Sequence, residues 1–169
     1  MKNLWKKTDI KPMEVDTPVE IIQYQCTRLW EMTEGSIIAK VYEYSQPVFS
    51  YIEKSRLIRT IDENKKINIQ ENLGDVSDGT FSYEFFITST STPKFKYRIM
   101  FLQYDISVYP VTLVLDESIL EELELNQELV TCNNQTEFEI ILEKILNSKK
   151  VTNVISALLK ISQRDKVSI

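Results

Sequence analysis

The sequence contains no histidine, and this absence removes several kinds of active site at once. Without imidazole there is no Ser-His or Cys-His nucleophile pair, no His-ligated zinc and no imidazole acid or base. The two cysteines, Cys26 and Cys132, are too few for a four-thiolate metal site or a secreted disulfide framework. Any catalysis would have to use carboxylates, lysine, tyrosine or serine, and we predict no catalytic residue, no metal and no cofactor.

Glycine is scarce too, and the only glycines are Gly35, Gly74 and Gly79. They cannot form a Walker-type loop or a G-x-G-x-x-G turn, so the common phosphate-cradling motifs of nucleotide-binding proteins are excluded. The sequence also lacks an apolar run of about 18 residues and, near its start, the apolar core of a signal peptide. We therefore expect a cytoplasmic protein that does not span a membrane.

The chain length fits a single domain, since domains cluster near roughly 100–150 residues. We expect a flexible basic arm over residues 1–16 and one α+β domain over residues 17–169. The expected architecture is an antiparallel sheet of about five to six strands with an N-terminal helix and a C-terminal helix pair packed on it. Residues 47–60 fit either a strand or a helix, and the strand order depends on which one forms.

A strong local signal marks the first helix. Thr17 is a good N-cap, Pro18 suits the first helical position, and Glu20 lies where an acid can reach back to the cap amide. Together these residues predict a helix over residues 17–33, and Gly35 is a natural stop after it.

Alternating β-branched and aromatic residues predict strands over residues 36–115, whereas residues 116–163 are typical of a mainly helical tail. Within the tail, Thr136 and Glu139 repeat the cap pattern and predict the start of the first of two helices. Cys132, just before this start, is expected to be exposed, where a helix N-terminus could lower the pKa of its thiol.

The tail begins with an acidic run. Six carboxylates and no base lie between Asp116 and Glu128, and no base follows until Lys144. Three interpretations compete: the solvated face of a short helix, a surface that steers a basic partner, and a carboxylate metal site. The metal site is least favoured, because a divalent ion needs acids that converge from several elements. The candidate partner-binding residues are Glu117, Glu121, Glu122 and Glu124.

The end of the chain is basic instead. Lys149 and Lys150 are expected between the two tail helices, and Lys160, Arg164 and Lys166 at the last turn, where cations suit the helix dipole. With a pI near 5.0 the chain as a whole lacks the positive footprint of a nucleic-acid-binding protein. Nucleic acid is therefore disfavoured as a partner.

Aromatic residues concentrate in the β-rich region and leave two alternatives open. An aromatic-lined sheet face could hold a small molecule, and Glu63-Asn64-Lys65 matches half of a metal-dependent nuclease pattern, although its neighbours are typical of a hydrophilic turn. Pairs such as Phe85-Phe86 make both faces of a strand apolar. A sheet face without a helix over it could then associate with a second copy of the chain.

The interpretation we favour is a non-enzymatic binding protein that docks on another macromolecule as an inhibitor, an immunity-type protein or an accessory protein. Its partner is expected to be a protein, and a basic one suits the acidic run. The alternative is a small-molecule-binding or carboxylate- and metal-assisted enzymatic domain. Homo-oligomerisation also stays open.

Overall fold

The computed structural model of the chain describes residues 11, 13–45, 80–125 and 129–167, with side chains described as far as Arg164. Most of the expected arm over residues 1–16 lies outside the described residues. Residues 47–60 and the Glu63-Asn64-Lys65 match lie outside them as well.

Helices flank and interrupt a run of strands. The described elements are α1 (Pro18–Met32), β1 (Ile37–Glu43), β2 (Thr80–Ser89), β3 (Tyr97–Asp105), β4 (Val111–Leu115), α2 (Glu117–Glu122), β5 (Val130–Cys132), α3 (Gln135–Leu146) and α4 (Lys149–Val167). The strands form an antiparallel sheet in the order β1-β2-β3-β4-β5, so each strand pairs with its neighbour in the chain. This α+β arrangement confirms the predicted fold class.

Local chemistry defines both ends of α1. The hydroxyl of Thr17 accepts a hydrogen bond from the amide of Glu20 at 3.2 Å, and the Thr17 amide donates to the Glu20 carboxylate at 2.7 Å. At the other end, Glu34 and Gly35 adopt φ angles of 49° and 75°. The Gly35 amide donates to the Trp30 carbonyl at 2.9 Å, which closes a Schellman turn. A capping box and a Schellman turn thus delimit the helix.

The helices bury their apolar residues against one face of the sheet. Ile22 of α1, Phe138 of α3 and Val151 of α4 are fully buried, in one cluster with Phe85 and Leu113 of the sheet. Because the cluster is continuous, neither the helical layer nor this sheet face can bury its apolar surface without the other. None of the described helices combines the length and apolar character needed to cross a bilayer.

α3 starts earlier than the sequence predicts. It begins at Gln135 with Asn134 as its N-cap, so the predicted cap at Thr136 is wrong. The Asn134 side-chain oxygen accepts a hydrogen bond from the Glu137 amide at 3.0 Å, and the Glu137 carboxylate accepts one from the Asn133 amide at 2.8 Å. Asparagine caps at least as well as threonine, and here it takes the position.

The turn between α3 and α4 is also shorter than predicted. Only Asn147 and Ser148 separate the helices, so Lys149 and Lys150 are the first residues of α4 and do not lie between the two helices. The hydroxyl of the buried Ser148 accepts a hydrogen bond from the Val151 amide at 3.4 Å. This tight turn holds α3 and α4 side by side.

Candidate functional site

A groove of about 630 Å³ lies between α1 and α3. Among the residues that the structure describes, its lining includes no base and four exposed acids, Asp16, Glu20, Glu139 and Glu143. It also includes apolar side chains, of which the most enclosed are Ile21, Leu142 and Leu146. Carboxylates therefore rim an apolar floor. We refer to this feature as the α1–α3 groove.

The sequence of α3 explains why acids and apolar residues lie side by side in the groove. Glu139 and Glu143 are four residues apart, as are Leu142 and Leu146, and residues with this spacing lie one above the other on a helix. One wall therefore carries a column of acids beside a column of leucines. On the opposite wall, Tyr24 of α1 leaves 62% of its surface exposed.

Tyr109, between β3 and β4, contacts one residue of the groove lining, Asp16. Its hydroxyl donates a hydrogen bond to the Asp16 carbonyl at 3.3 Å. Burial is the main cause that raises the pKa of Tyr109 to about 12, and electrostatic repulsion from Glu139, Cys132 and Asp16 contributes the rest. The charges of Glu139 on α3 and of Asp16 before α1 thus both act on this hydroxyl.

One of the four acids also has a structural role. The Oε2 atom of Glu20 accepts from the amide of Thr17 at 2.7 Å and from its hydroxyl at 2.8 Å. Both bonds lower the pKa of Glu20, and the bond from the Thr17 backbone amide lowers it more than the bond from the hydroxyl. The helix cap therefore accounts for the position of Glu20. On α3, the Glu143 carbonyl accepts the C-cap amide of Asn147, and the Glu139 carboxylate accepts from the Gln135 side-chain amide at 2.7 Å, but neither carboxylate caps the helix.

The four acids predicted as partner-binding residues do not share one surface. Glu117 and Glu121 line a shallow depression together with Lys150 of α4. The Glu122 side chain lies at the start of α4. Both of its carboxylate oxygens accept a hydrogen bond from the Lys149 backbone amide at 2.9 Å. Glu122 thus caps the first turn of α4 and stabilises it.

Glu124, the fourth of these acids, lies on the other side of α3 from the α1–α3 groove. It lines a second groove with Leu125 and with Glu137, Ile140 and Ile141 of α3. Its φ of 54° places it in the left-handed region, directly after the end of α2. The structure therefore brings Glu117 and Glu121 together and separates both from Glu122 and Glu124.

Neither cysteine is suited to nucleophilic chemistry. Burial raises the pKa of Cys26 to about 11, and burial, aided by the charge of Glu137, raises that of Cys132 to about 11. At neutral pH only about one thiol in ten thousand would be ionised. Cys132 is 1% exposed, so the expectation of an exposed thiol is wrong. In β5, Val130 and Cys132 face the core while Thr131 faces solvent.

On the sheet face away from the helices, charged and aromatic residues alternate. Across β1, β2 and β3, Tyr42 pairs with Glu84 and Glu84 with Phe101. In the neighbouring row, Lys40 pairs with Phe86 and Phe86 with Arg98. Arg98 lies 4.5 Å from the Phe101 ring centroid and the Lys96 ammonium 4.1 Å from that of Phe86, distances typical of cation–π contacts. We call this arrangement the charge–ring face.

Glu84 is the acid at the centre of the charge–ring face. Its Oε2 atom accepts from two guanidinium nitrogens of Arg98 at 3.1 and 3.0 Å, and its Oε1 accepts from Lys96. Burial raises the pKa of Glu84, but Lys96 and Arg98 lower it more, so the pKa lies below its usual range. Glu84 is therefore a charged, paired carboxylate at neutral pH, without the raised pKa of a general acid.

The described residues hold no group of three or more Cys, Asp or Glu side chains placed to bind a metal ion. The bases of α4 are also spread out, since Lys149 and Arg164 lie about 22 Å apart along the helix axis at 1.5 Å per residue. No family model, curated protein or solved structure matches the chain.

Proposed function

We propose that this protein is a non-enzymatic binding protein that docks on a basic segment of another protein through the α1–α3 groove. The observation that supports this function is the combination, in one groove, of an apolar floor with exposed acids on both walls and no base among the lining residues in the described part of the chain. Polar rims around apolar centres are the usual anatomy of protein–protein interfaces.

The floor and the acids would contribute differently to binding. Burying an apolar side chain is worth about 1.5–3 kcal/mol, whereas an exposed ion pair is worth about 0.2–1 kcal/mol. Ile21 and Leu142 are already 9% and 2% exposed, so affinity would come mainly from an apolar side chain of the partner that is buried against them and Leu146. The acids would select a basic partner and accelerate the encounter, because complementary charge acts mainly on specificity and association rate.

In this proposal the acids of α2 do not contact the bound segment directly. Glu117 and Glu121 are exposed, and we assign them to long-range steering of the same basic partner. Glu122 is assigned to the cap of α4, because its carboxylate holds the Lys149 amide. Glu124 lines a different groove and is not needed for docking.

The experiment is affinity capture on the full-length tagged chain, with native mass spectrometry of the eluate. The groove variant Glu139→Lys with Glu143→Lys is compared with a control variant, Glu31→Lys with Glu34→Lys, which makes the same change in net charge. Glu31 lies about 9 Å along α1 from Gln25, the nearest groove residue of that helix, and about 16 Å from Glu20, so both separations exceed a Debye length of about 8 Å. Circular dichroism melts check that both variants fold.

We expect wild type and control to retain a stoichiometric protein partner and the groove variant to lose it. A variant at Glu117 and Glu121 should weaken capture mainly at low salt, because high salt screens the steering in wild type as well. If the groove variant retained the partner as well as the control did, the docking function of the groove would be refuted.

A further inference from the structure

Building on the proposed function, we propose that the segment bound in the α1–α3 groove is a basic amphipathic helix of the partner protein. One apolar side chain would rest on Ile21 and Leu142, and bases on either side of it would meet the acids of the two walls. The proposal concerns the conformation and residue pattern of the partner, which the docking function alone does not specify.

The elements around the groove indicate why the partner segment would be helical. Within residues 11, 13–45, 80–125 and 129–167, its lining comes from α1, α3 and the residues next to them and offers no strand edge to a partner's backbone. An extended peptide entering the groove would leave its amides and carbonyls without strand partners. A helix satisfies its own backbone hydrogen bonds and offers only side chains to the groove.

The size of the groove agrees with contact by one face of a helix. A helix treated as a cylinder about 10 Å wide occupies roughly 420 Å³ per turn of 5.4 Å. The groove volume of about 630 Å³ therefore matches one to two turns. One to two turns of the partner helix present one or two apolar side chains on one face. The three apolar side chains of the groove floor are enough to contact them.

The spacing of the acids indicates where the partner's bases would lie. Glu139 and Glu143 are one helical turn apart on α3, so they match two bases at i and i+4 on a helix running alongside. Asp16 and Glu20 face a base on the opposite flank of that helix. Bases on both flanks of an apolar stripe define a basic amphipathic helix.

The test uses two synthetic peptides of leucine and lysine with identical composition and about 18 residues, long enough to form a helix. In the first, leucines recur with helical spacing; in the second, leucine and lysine alternate, which gives an apolar face only to an extended chain. Each is titrated into the isotope-labelled full chain. The readouts are the dissociation constant and the amide shifts of Ile21, Leu142 and Leu146.

We expect the helical-pattern peptide to bind more tightly and to shift the groove amides. The variant Glu139→Gln with Glu143→Gln should weaken it about tenfold. The control Glu31→Gln with Glu34→Gln, of equal net charge, should change its affinity less than twofold.

Two results would overturn the proposal. Equal affinity for the alternating peptide would refute the helical partner and leave docking intact, because capture of the natural partner is measured separately with the lysine variants. Equal weakening by the groove and control variants would show that the peptide senses only net charge. Failure of the docking function itself would appear in the capture experiment instead. There, the variant Glu139→Lys with Glu143→Lys would retain the partner as well as the control does.

Discussion

The two faces of the sheet bury their side chains in different surroundings. Towards the helices, Phe85 and Leu113 lie in a continuous apolar cluster to which α1, α3 and α4 all contribute. On the charge–ring face, Phe86 is covered at 4.1 Å by an ammonium group, and its neighbour Glu84 is held by two cations. One face depends on apolar packing between layers, whereas the other uses pairs of charges and rings within the sheet.

This difference between the two faces predicts how the stability of each responds to the substitution of a side chain. A close-packed interior cannot relax around a deleted side chain, so a cavity remains and its cost is added to the lost burial. Long, partly exposed side chains such as Lys96 and Arg98 can move into a gap. The charge–ring face should therefore tolerate loss of a ring better, but it should be sensitive to loss of a charge.

The largest effect is expected from adjacent phenylalanines on opposite faces. Phe85→Ala should lower the free energy of unfolding by about 4 kcal/mol, because Phe85 is 2% exposed in the core. Phe86→Ala should cost about 2 kcal/mol, because Lys96 and Tyr42 can cover the gap. Urea unfolding of the two variants measures both values. If both variants lost the same free energy of unfolding, the two sheet faces would not differ in their tolerance of a deleted ring.

The next effect tests the charge at the centre of the charge–ring face. Glu84→Gln keeps the shape of the side chain but leaves Lys96 and Arg98 without a carboxylate between them. We expect a loss of about 1–2 kcal/mol, typical of hydrogen bonds to charged groups. Glu43→Gln, at an exposed position on β1, is the matched control and should stay within about 0.5 kcal/mol of wild type. No difference between the variants would show that the Glu84 pairs contribute nothing to stability.

The same carboxylate predicts a dependence on pH. The pKa of Glu84 in the folded state is lower than its usual value of 4.5, so its stabilising contribution is complete above that value. As the pH falls through the lower, folded-state pKa, Glu84 takes up a proton and the contribution disappears. The stability difference between wild type and Glu84→Gln, measured by urea unfolding, should shrink below pH 4.5. If the stability difference between wild type and Glu84→Gln stayed the same at low pH, the Glu84 carboxylate would not be the source of that stability.

The smallest effect concerns two adjacent glutamates of α2. Glu122→Gln weakens the cap on the Lys149 amide and should cost about 1 kcal/mol. Glu121→Gln, one residue earlier and exposed, should change stability by less than about 0.5 kcal/mol. Thermal melts of the pair measure the difference. If both variants melted like wild type, Glu122 would be a surface acid like its neighbour.

The parts of the fold that depend on local chemistry could be predicted from the sequence. Thr17 and Glu20 are three residues apart, and the capping box that they form needs no distant contact. Where two local signals compete, the prediction of the α3 cap at Thr136 went wrong, since Asn134 also caps well. Burial of Cys132 could have been found from its spacing to Val130, because alternate residues of a strand face the same side.

The candidate site could not be predicted in the same way. Glu20 and Glu139 line one groove although 118 residues lie between them, and no local pattern encodes that proximity. The only local signal was the column of acids beside the column of leucines on α3. The acidic run suggested α2 as the contact surface, but composition cannot show that Glu122 is turned towards the amide of Lys149.

The order of pairing in the sheet has a consequence for the folding route. β2, β3 and β4 are joined by links of seven and five residues, whereas 36 residues separate β1 from β2. Contacts between residues far apart in the sequence form more slowly than contacts between near ones. We therefore expect the β2–β4 meander to form before α1 and β1 dock on it. One wall of the α1–α3 groove would then be completed only in the last step of folding.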